Sequence, residues 1–86
     1  MSRYNSRFEC IAKLVKYRRH CLNLTQDDLA NLSGYPCKKY ISRIENGKSS
    51  VSNKRLKQMA EALNFPVAAL KSAKIDDFAA QIDMEM

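Results

Sequence analysis

The chain has 86 residues, with 15 Lys+Arg against 9 Asp+Glu, a net charge of +6 and 45% hydrophobic residues. A single domain of this size buries only about 60% of its unfolded surface and gains stability from a partner chain. No apolar run is long enough to cross a bilayer, and no apolar block precedes Ile11 to form a signal-peptide core, so a soluble, cytoplasmic protein without a membrane partner is expected.

The periodicities read as helices throughout, with no strand pattern and no internal repeat, so the fold class is all-α. The first helix is expected over roughly Ser6 to Leu22, where Phe8, Ile11, Val15 and Leu22 form an apolar stripe and Lys13, Lys16, Tyr17 and His20 face away. Thr25 then offers a side-chain oxygen to the free amides of a helix starting at Gln26. Asp27 and Asp28 fall in its first turn, where the dipole favours acids. Leu29, Ala30 and Leu32 give this second helix its apolar side. Ser33-Gly34 ends it, because glycine takes a positive φ at least cost.

Pro36 biases Tyr35 toward an extended conformation and is expected to open a third helix. In it Cys37, Ile41 and Ile44 share one face, while Lys38, Lys39, Ser42, Arg43 and Asn46 lie elsewhere on the wheel. A fourth helix opens after Ser52, runs through Leu56, Met59, Ala60 and Leu63, and ends near Asn64, which accepts a left-handed cap. The fifth starts at Pro66 and carries Val67 and Leu70 into the core. A short sixth is expected from Ile75, Phe78, Ala79 and Ile82, one apolar stripe with acids opposite.

Charge divides the chain in two. Residues 1–74 hold all 15 basic residues against Glu9, Asp27, Asp28, Glu45 and Glu61, a balance of about +10, whereas 75–86 form an acidic tail with Asp76, Asp77, Asp83 and Glu85. A basic body suits a polyanion. A membrane-surface helix needs a strongly apolar face opposite its cations, and no segment shows one clearly.

No metal or cofactor site is expected: Cys10, Cys21 and Cys37 have no CxxC spacing, and the sole histidine, His20, sits beside Cys21. Three small thiols in a reducing cytosol fit better, with Cys37, at the start of a helix, the one site where redox sensing is worth testing. With no paired carboxylates, no nucleophile beside a base, and only Gly34 and Gly47 for a phosphate-cradling loop, the chain does not read as an enzyme.

LTQDDLA, YISRIENG and MAEALNFPVAAL, together with the glycine turn between the first two, resemble the XRE-type helix-turn-helix family of phage repressors, Cro proteins, restriction-modification controller proteins and small antitoxins. The resemblance runs from about Ile11 to about Leu70. It implies a compact five-helix, lambda-repressor-like DNA-binding domain over 1–74. It also implies a homodimeric transcriptional regulator, often autoregulatory, whose third helix enters the major groove of double-stranded DNA.

One departure from the family is the stretch YPCKKY between Gly34 and Ile41, which holds one residue more than the family usually places there. Counting back from YISRIENG puts the base-reading positions on Lys38, Lys39, Ser42 and Arg43. If the extra residue lies inside the helix, Cys37 or Tyr40 takes a reading position instead. Gln26 matches the family's phosphate-contacting glutamine. Asn46 and Lys48 after the third helix, and Ser52, Asn53, Lys54 and Arg55 at the start of the fourth, are further candidates for phosphate contacts. A solvated helix end is an equal reading for Lys54 and Arg55. The family pairs an arginine of the first helix with a glutamate near the end of the third. Glu45 matches the glutamate, Arg19 matches the arginine by counting, and Arg18 lies nearer the apolar stripe. From a different class, the same helices could serve a protein partner such as a toxin, with the basic face incidental.

Overall fold

The computed structural model describes residues 8–84, with side chains through residue 78. Five α-helices follow one another: α1 (Glu9–Cys21), α2 (Gln26–Ser33), α3 (Lys38–Glu45), α4 (Leu56–Ala62) and α5 (Val67–Met84), with a 3-10 turn over Asn53–Arg55 leading into α4. No strand occurs among the described residues. The two long helices, α1 and α5, pack on each other, α2 packs on α3 and α4, and α1 also meets α3.

Four of the five helices end the same way. Asn23 (φ 57), Gly34 (φ 81), Gly47 (φ 76) and Asn64 (φ 52) take left-handed backbone after α1, α2, α3 and α4. In each case the next amide donates to a carbonyl five residues back: Leu24 to Arg19 (3.1 Å), Tyr35 to Ala30, Lys48 to Arg43 and Phe65 to Ala60 (each 2.9 Å). Such a closure satisfies carbonyls left without partners at a helix end, and asparagine and glycine are the residues that adopt it most readily. At the other end of α2, Thr25 Oγ1 accepts from the Asp28 amide and Asp28 Oδ2 accepts from the Thr25 amide, both at 3.0 Å, a complete capping box.

The core is one cluster drawn from every helix: Ile11 and Val15, Leu29 and Ala30, Ile41 and Ile44, Val51, Leu56, Met59, Ala60 and Leu63, and Leu70 and Ala73. Ser33 is also fully buried, and its Oγ donates to the Leu29 carbonyl at 2.6 Å, which removes the cost of a lone buried hydroxyl.

Several expectations from sequence are corrected. Leu32 does not belong to the buried side of α2. It is 56% exposed, because Leu29, Ala30 and Ser33 define the inward face and Leu32 lies about 100° from its centre. Pro36 does not open α3. It stays in the turn, and Cys37, with extended backbone (φ -161, ψ 169), occupies the cap position and is exposed rather than packed. The fourth helix opens as a 3-10 turn, and Ser52 caps it without a side-chain bond. Val67 lies at the rim of the core, 37% exposed.

Helix α1 begins at Glu9 rather than Ser6, which lies outside the described residues. There is no separate sixth helix: α5 continues without a break through the junction between Lys74 and Ile75, where neither proline nor glycine interrupts it. The apolar stripe predicted there is turned outward at Ile75 (66% exposed) and Phe78 (64%). The acid between them, Asp77, is the buried residue. Its Oδ1 accepts from the Cys10 amide at 2.8 Å and its Oδ2 from the Ile11 amide at 3.2 Å. Phe8, at the cap position of α1, has no side-chain acceptor. A carboxylate from the far end of the chain therefore caps α1 and meets the positive end of its dipole.

Candidate nucleic-acid interface

Because α3 starts at Lys38, the extra residue of this chain is absorbed in the turn and not in the helix. At about 100° per residue, Ile41 and Ile44 fix the inward side, and Lys39, Ser42, Arg43 and Asn46 fall opposite, with Lys38 at the edge. The exposures agree: Lys38, Lys39, Arg43 and Asn46 are exposed and Ser42 is half-buried. Arg43 Nε points toward Ser49 Oγ at 3.4 Å, and Asn46 Nδ2 toward Ser42 Oγ at 3.4 Å. Both contacts are long and exposed, so these side chains are readily redirected to a ligand.

Tyr40 is turned back toward the turn. Its ring stacks on Tyr35 with centroids 5.8 Å apart and planes 24° from parallel. The Arg55 guanidinium also lies over the Tyr35 ring, 4.8 Å from its centre. Burial pushes the Tyr35 phenol above its ordinary range, opposed by the Arg55 charge and by hydrogen bonds from Ser52. Contacts among Tyr40, Tyr35 and Arg55 thus join the start of α3 to the 3-10 turn. Sequence reasoning missed them, since no periodicity connects these three positions. The only signal was the pair of tyrosines flanking the extra residue.

The end of α3 is anchored through Glu45. Arg19 Nε donates to its Oε2 at 2.5 Å and Arg19 Nη2 to its Oε1 at 3.0 Å, while Gln26 Nε2 reaches Oε1 at 3.1 Å. The side chains of Arg19 and Glu45 are 11% and 3% exposed, and the bond to Glu45 raises the Arg19 guanidinium above its ordinary value. Arg19 Nη1 also donates to the Leu24 carbonyl at 2.8 Å, so one guanidinium ties α1, the loop before α2 and α3 together. Arg18 does something else: its Nη2 donates to the carbonyls of Leu63 (3.2 Å) and Asn64 (3.3 Å) and its guanidinium lies over Phe65. It closes the end of α4.

The remaining candidates separate into two groups. Lys48 and Lys54 are exposed around the end of α3 and the 3-10 turn, as are Asn46, with its long contact to Ser42, and Ser52, which hydrogen-bonds Tyr35. Gln26, Asn53 and Arg55 are engaged within the molecule, by Glu45, by Lys74 (whose Nζ donates to Asn53 Oδ1 at 2.8 Å) and by Tyr35. Among the described residues no group of His, Cys, Asp and Glu could hold a metal ion, and the three cysteines are free and exposed.

The helix-turn-helix family profile matches residues 15–70, which takes in the second half of α1, all of α2, the turn, α3 and α4, and the first turn of α5. The chain belongs to the helix-turn-helix family. No curated protein sequence matches it. Solved structures of other helix-turn-helix proteins superpose on it. The restriction-modification controller protein C.AhdI from Aeromonas hydrophila does so with a TM-score of 0.68 at 26% identity, over 77% of this chain and 98% of that one. The clp gene regulator ClgR from Corynebacterium glutamicum superposes with a TM-score of 0.68 at 25% identity, over 98% of this chain and 87% of that one. A mutant of the controller protein C.Esp1396I bound to its highest-affinity operator site shares the fold, with a TM-score of 0.66 at 22% identity over 86% and 96% of the two chains.

Proposed function

We propose that this protein is a DNA-binding transcriptional regulator of the cytoplasm that reads a roughly palindromic operator as a homodimer and acts near its own promoter. The observation that carries the reading is the outward face of α3. Lys39, Ser42 and Arg43, with Lys38 at the edge, stand clear of the core on a helix whose start is held by the stacked pair Tyr35 and Tyr40 and whose end is held by Glu45. The C.Esp1396I structure, bound to its operator, has the same fold and supports the assignment.

In this reading Arg43 engages the two acceptors of a guanine, and Lys38, Lys39 and Ser42 complete the base contacts. Asn46, Lys48, Ser52 and Lys54 meet phosphates and position the body without reading sequence. Gln26, Asn53 and Arg55 reach phosphates only by exchanging their internal partners, so their first role is to hold the reading head. A single reading helix covers too few base pairs to find one site in a genome. Two-fold symmetry supplies the second half-site about 34 Å away.

Selection of bound sites from random duplex DNA tests the reading. A palindromic consensus that recurs upstream of the protein's own gene is expected. Binding without preference, or none, overturns it in favour of a protein-interaction module.

A further inference from the structure

His20, the single histidine of the chain, is exposed in the last turn of α1, beside the side chain that ties α1 to α3. Its Nε2 lies 3.3 Å from Arg19 Nη2, and the same guanidinium holds Glu45 and the Leu24 carbonyl. His20 also lines a cleft of about 570 Å³ together with Asn23, Gln26, Asp27 and Lys38. Gln26 is a candidate for a phosphate contact and Lys38 stands at the edge of the reading face, so a duplex on that face passes the mouth of this cleft. The charges around the imidazole are mostly positive. Lys16 lies one turn back on α1, Arg19 touches the ring, and Lys38 of α3 shares the cleft. Of the acids on the packed helices, Glu45 is engaged by Arg19 and Gln26, and Asp27 lines the cleft. Among the described residues no acid lies within ion-pair distance of His20.

We infer that His20 is a proton-dependent contact to the DNA backbone: neutral, it is occupied by Arg19, and protonated, it donates to a phosphate oxygen at the mouth of the cleft. The inference rests on the DNA-binding reading proposed above and adds to it a residue and a dependence on pH. In the neutral tautomer with a bare Nε2, the ring accepts from Arg19 Nη2. A protonated ring has two donors and no acceptor, so it cannot keep that bond. Protonation sets two cations side by side at the rim of a cleft that also holds Lys38, and a phosphate is the anion such a rim attracts. Histidine is the side chain whose charge ordinarily changes between about pH 5 and 8. Binding is then linked to uptake of a proton, and affinity for DNA rises as pH falls. Since a phosphate carries no sequence information, the gain is the same on operator and on random duplex.

Fluorescence anisotropy of the full chain on a selected operator and on a random duplex, across salt series between about pH 5.5 and 7.5, tests the inference with two variants. His20→Gln keeps an acceptor for Arg19 but takes up no proton, and His20→Lys is charged throughout. Circular dichroism checks that each keeps its helices. As pH falls, the wild type is expected to gain roughly fivefold in affinity and about one unit in the slope of log affinity against log salt, on both duplexes. His20→Gln should stay near the wild-type values of high pH and His20→Lys near those of low pH. Equal pH dependence in the wild type and His20→Gln, or none in the wild type, would overturn the inference while leaving the regulator standing. The pH gain without any operator preference would keep this contact and overturn the sequence-specific regulator. A wild type that binds neither duplex at any pH would overturn both.

Discussion

Arg19 and Glu45 meet as a two-pronged ion pair, Nε to Oε2 at 2.5 Å and Nη2 to Oε1 at 3.0 Å, and join α1 to the last turn of α3. With the two side chains 11% and 3% exposed, removing one partner leaves a charge without compensation in a place water reaches poorly. Glu45→Ala is expected to cost about 3 kcal/mol. At 4–8 °C per kcal/mol for a domain of this size, the melting temperature then falls by roughly 12–24 °C. Glu45→Gln keeps an acceptor for Arg19 and should lose less. A melting temperature unchanged in Glu45→Ala would remove the pair from the account of stability.

The two kinds of DNA contact proposed for this chain separate by their signatures. Arg43→Ala is expected to relax preference at one base pair, by roughly 1–3 kcal/mol of discrimination, and to affect random DNA little. Lys48→Ala should weaken operator and random duplex alike and reduce the slope of log affinity against log salt by about one unit. Fluorescence anisotropy on operator variants across a salt series measures both. Equal losses on operator and random DNA for Arg43→Ala would contradict its role in base reading.

What the sequence made legible was local. Thr25, Gly34 and Asn64 were readable because a cap depends on one residue and its immediate neighbours, and the structure has all three in those roles. The apolar positions Ile11, Val15, Ile41, Ile44 and Met59 were readable by helical period. The start of α3 was not, because proline favours a first helical position yet is equally at home in a turn, and Tyr35, Tyr40 and Arg55 together decided between them. In the sequence Asp77 is one of the four acids of the acidic tail. Its partners, the amides of Cys10 and Ile11, lie at the other end of the chain, and no local pattern in the sequence records such a pairing.

Gly34 tests whether the turn depends on its backbone or on its surroundings. Its φ of 81° lies in the left-handed region, and a Cβ added there would come within 2.8 Å of Arg55 Nη1 and 3.0 Å of Gln58 Oε1. Both atoms are ends of flexible side chains that can shift, so the backbone conformation supplies most of the cost. Gly34→Ala is expected to destabilise by roughly 1–2 kcal/mol in urea unfolding. Adding Arg55→Ala should recover little of that loss. Full recovery in the double variant would make the clash, and not the backbone, the cause.

The Cys10 thiol reports on the carboxylate that caps α1. Although the residue as a whole is exposed, burial of the thiol raises its pKa above the ordinary value, and the Asp77 carboxylate acts in the same direction through a hydrogen bond and its charge. A raised value keeps the unreactive thiol as pH climbs past about 8.5, the midpoint of a free cysteine, so alkylation lags there and catches up only at higher pH. With Cys21 and Cys37 replaced by serine, the pH profile of iodoacetamide labelling should therefore lie above that of the urea-unfolded chain. Asp77→Asn removes the charge and should move the midpoint down. It should leave the limiting rate at high pH largely unchanged, whereas mere loosening of α5 would raise that rate. A folded wild-type midpoint equal to the unfolded one would show that Asp77 does not act on this thiol.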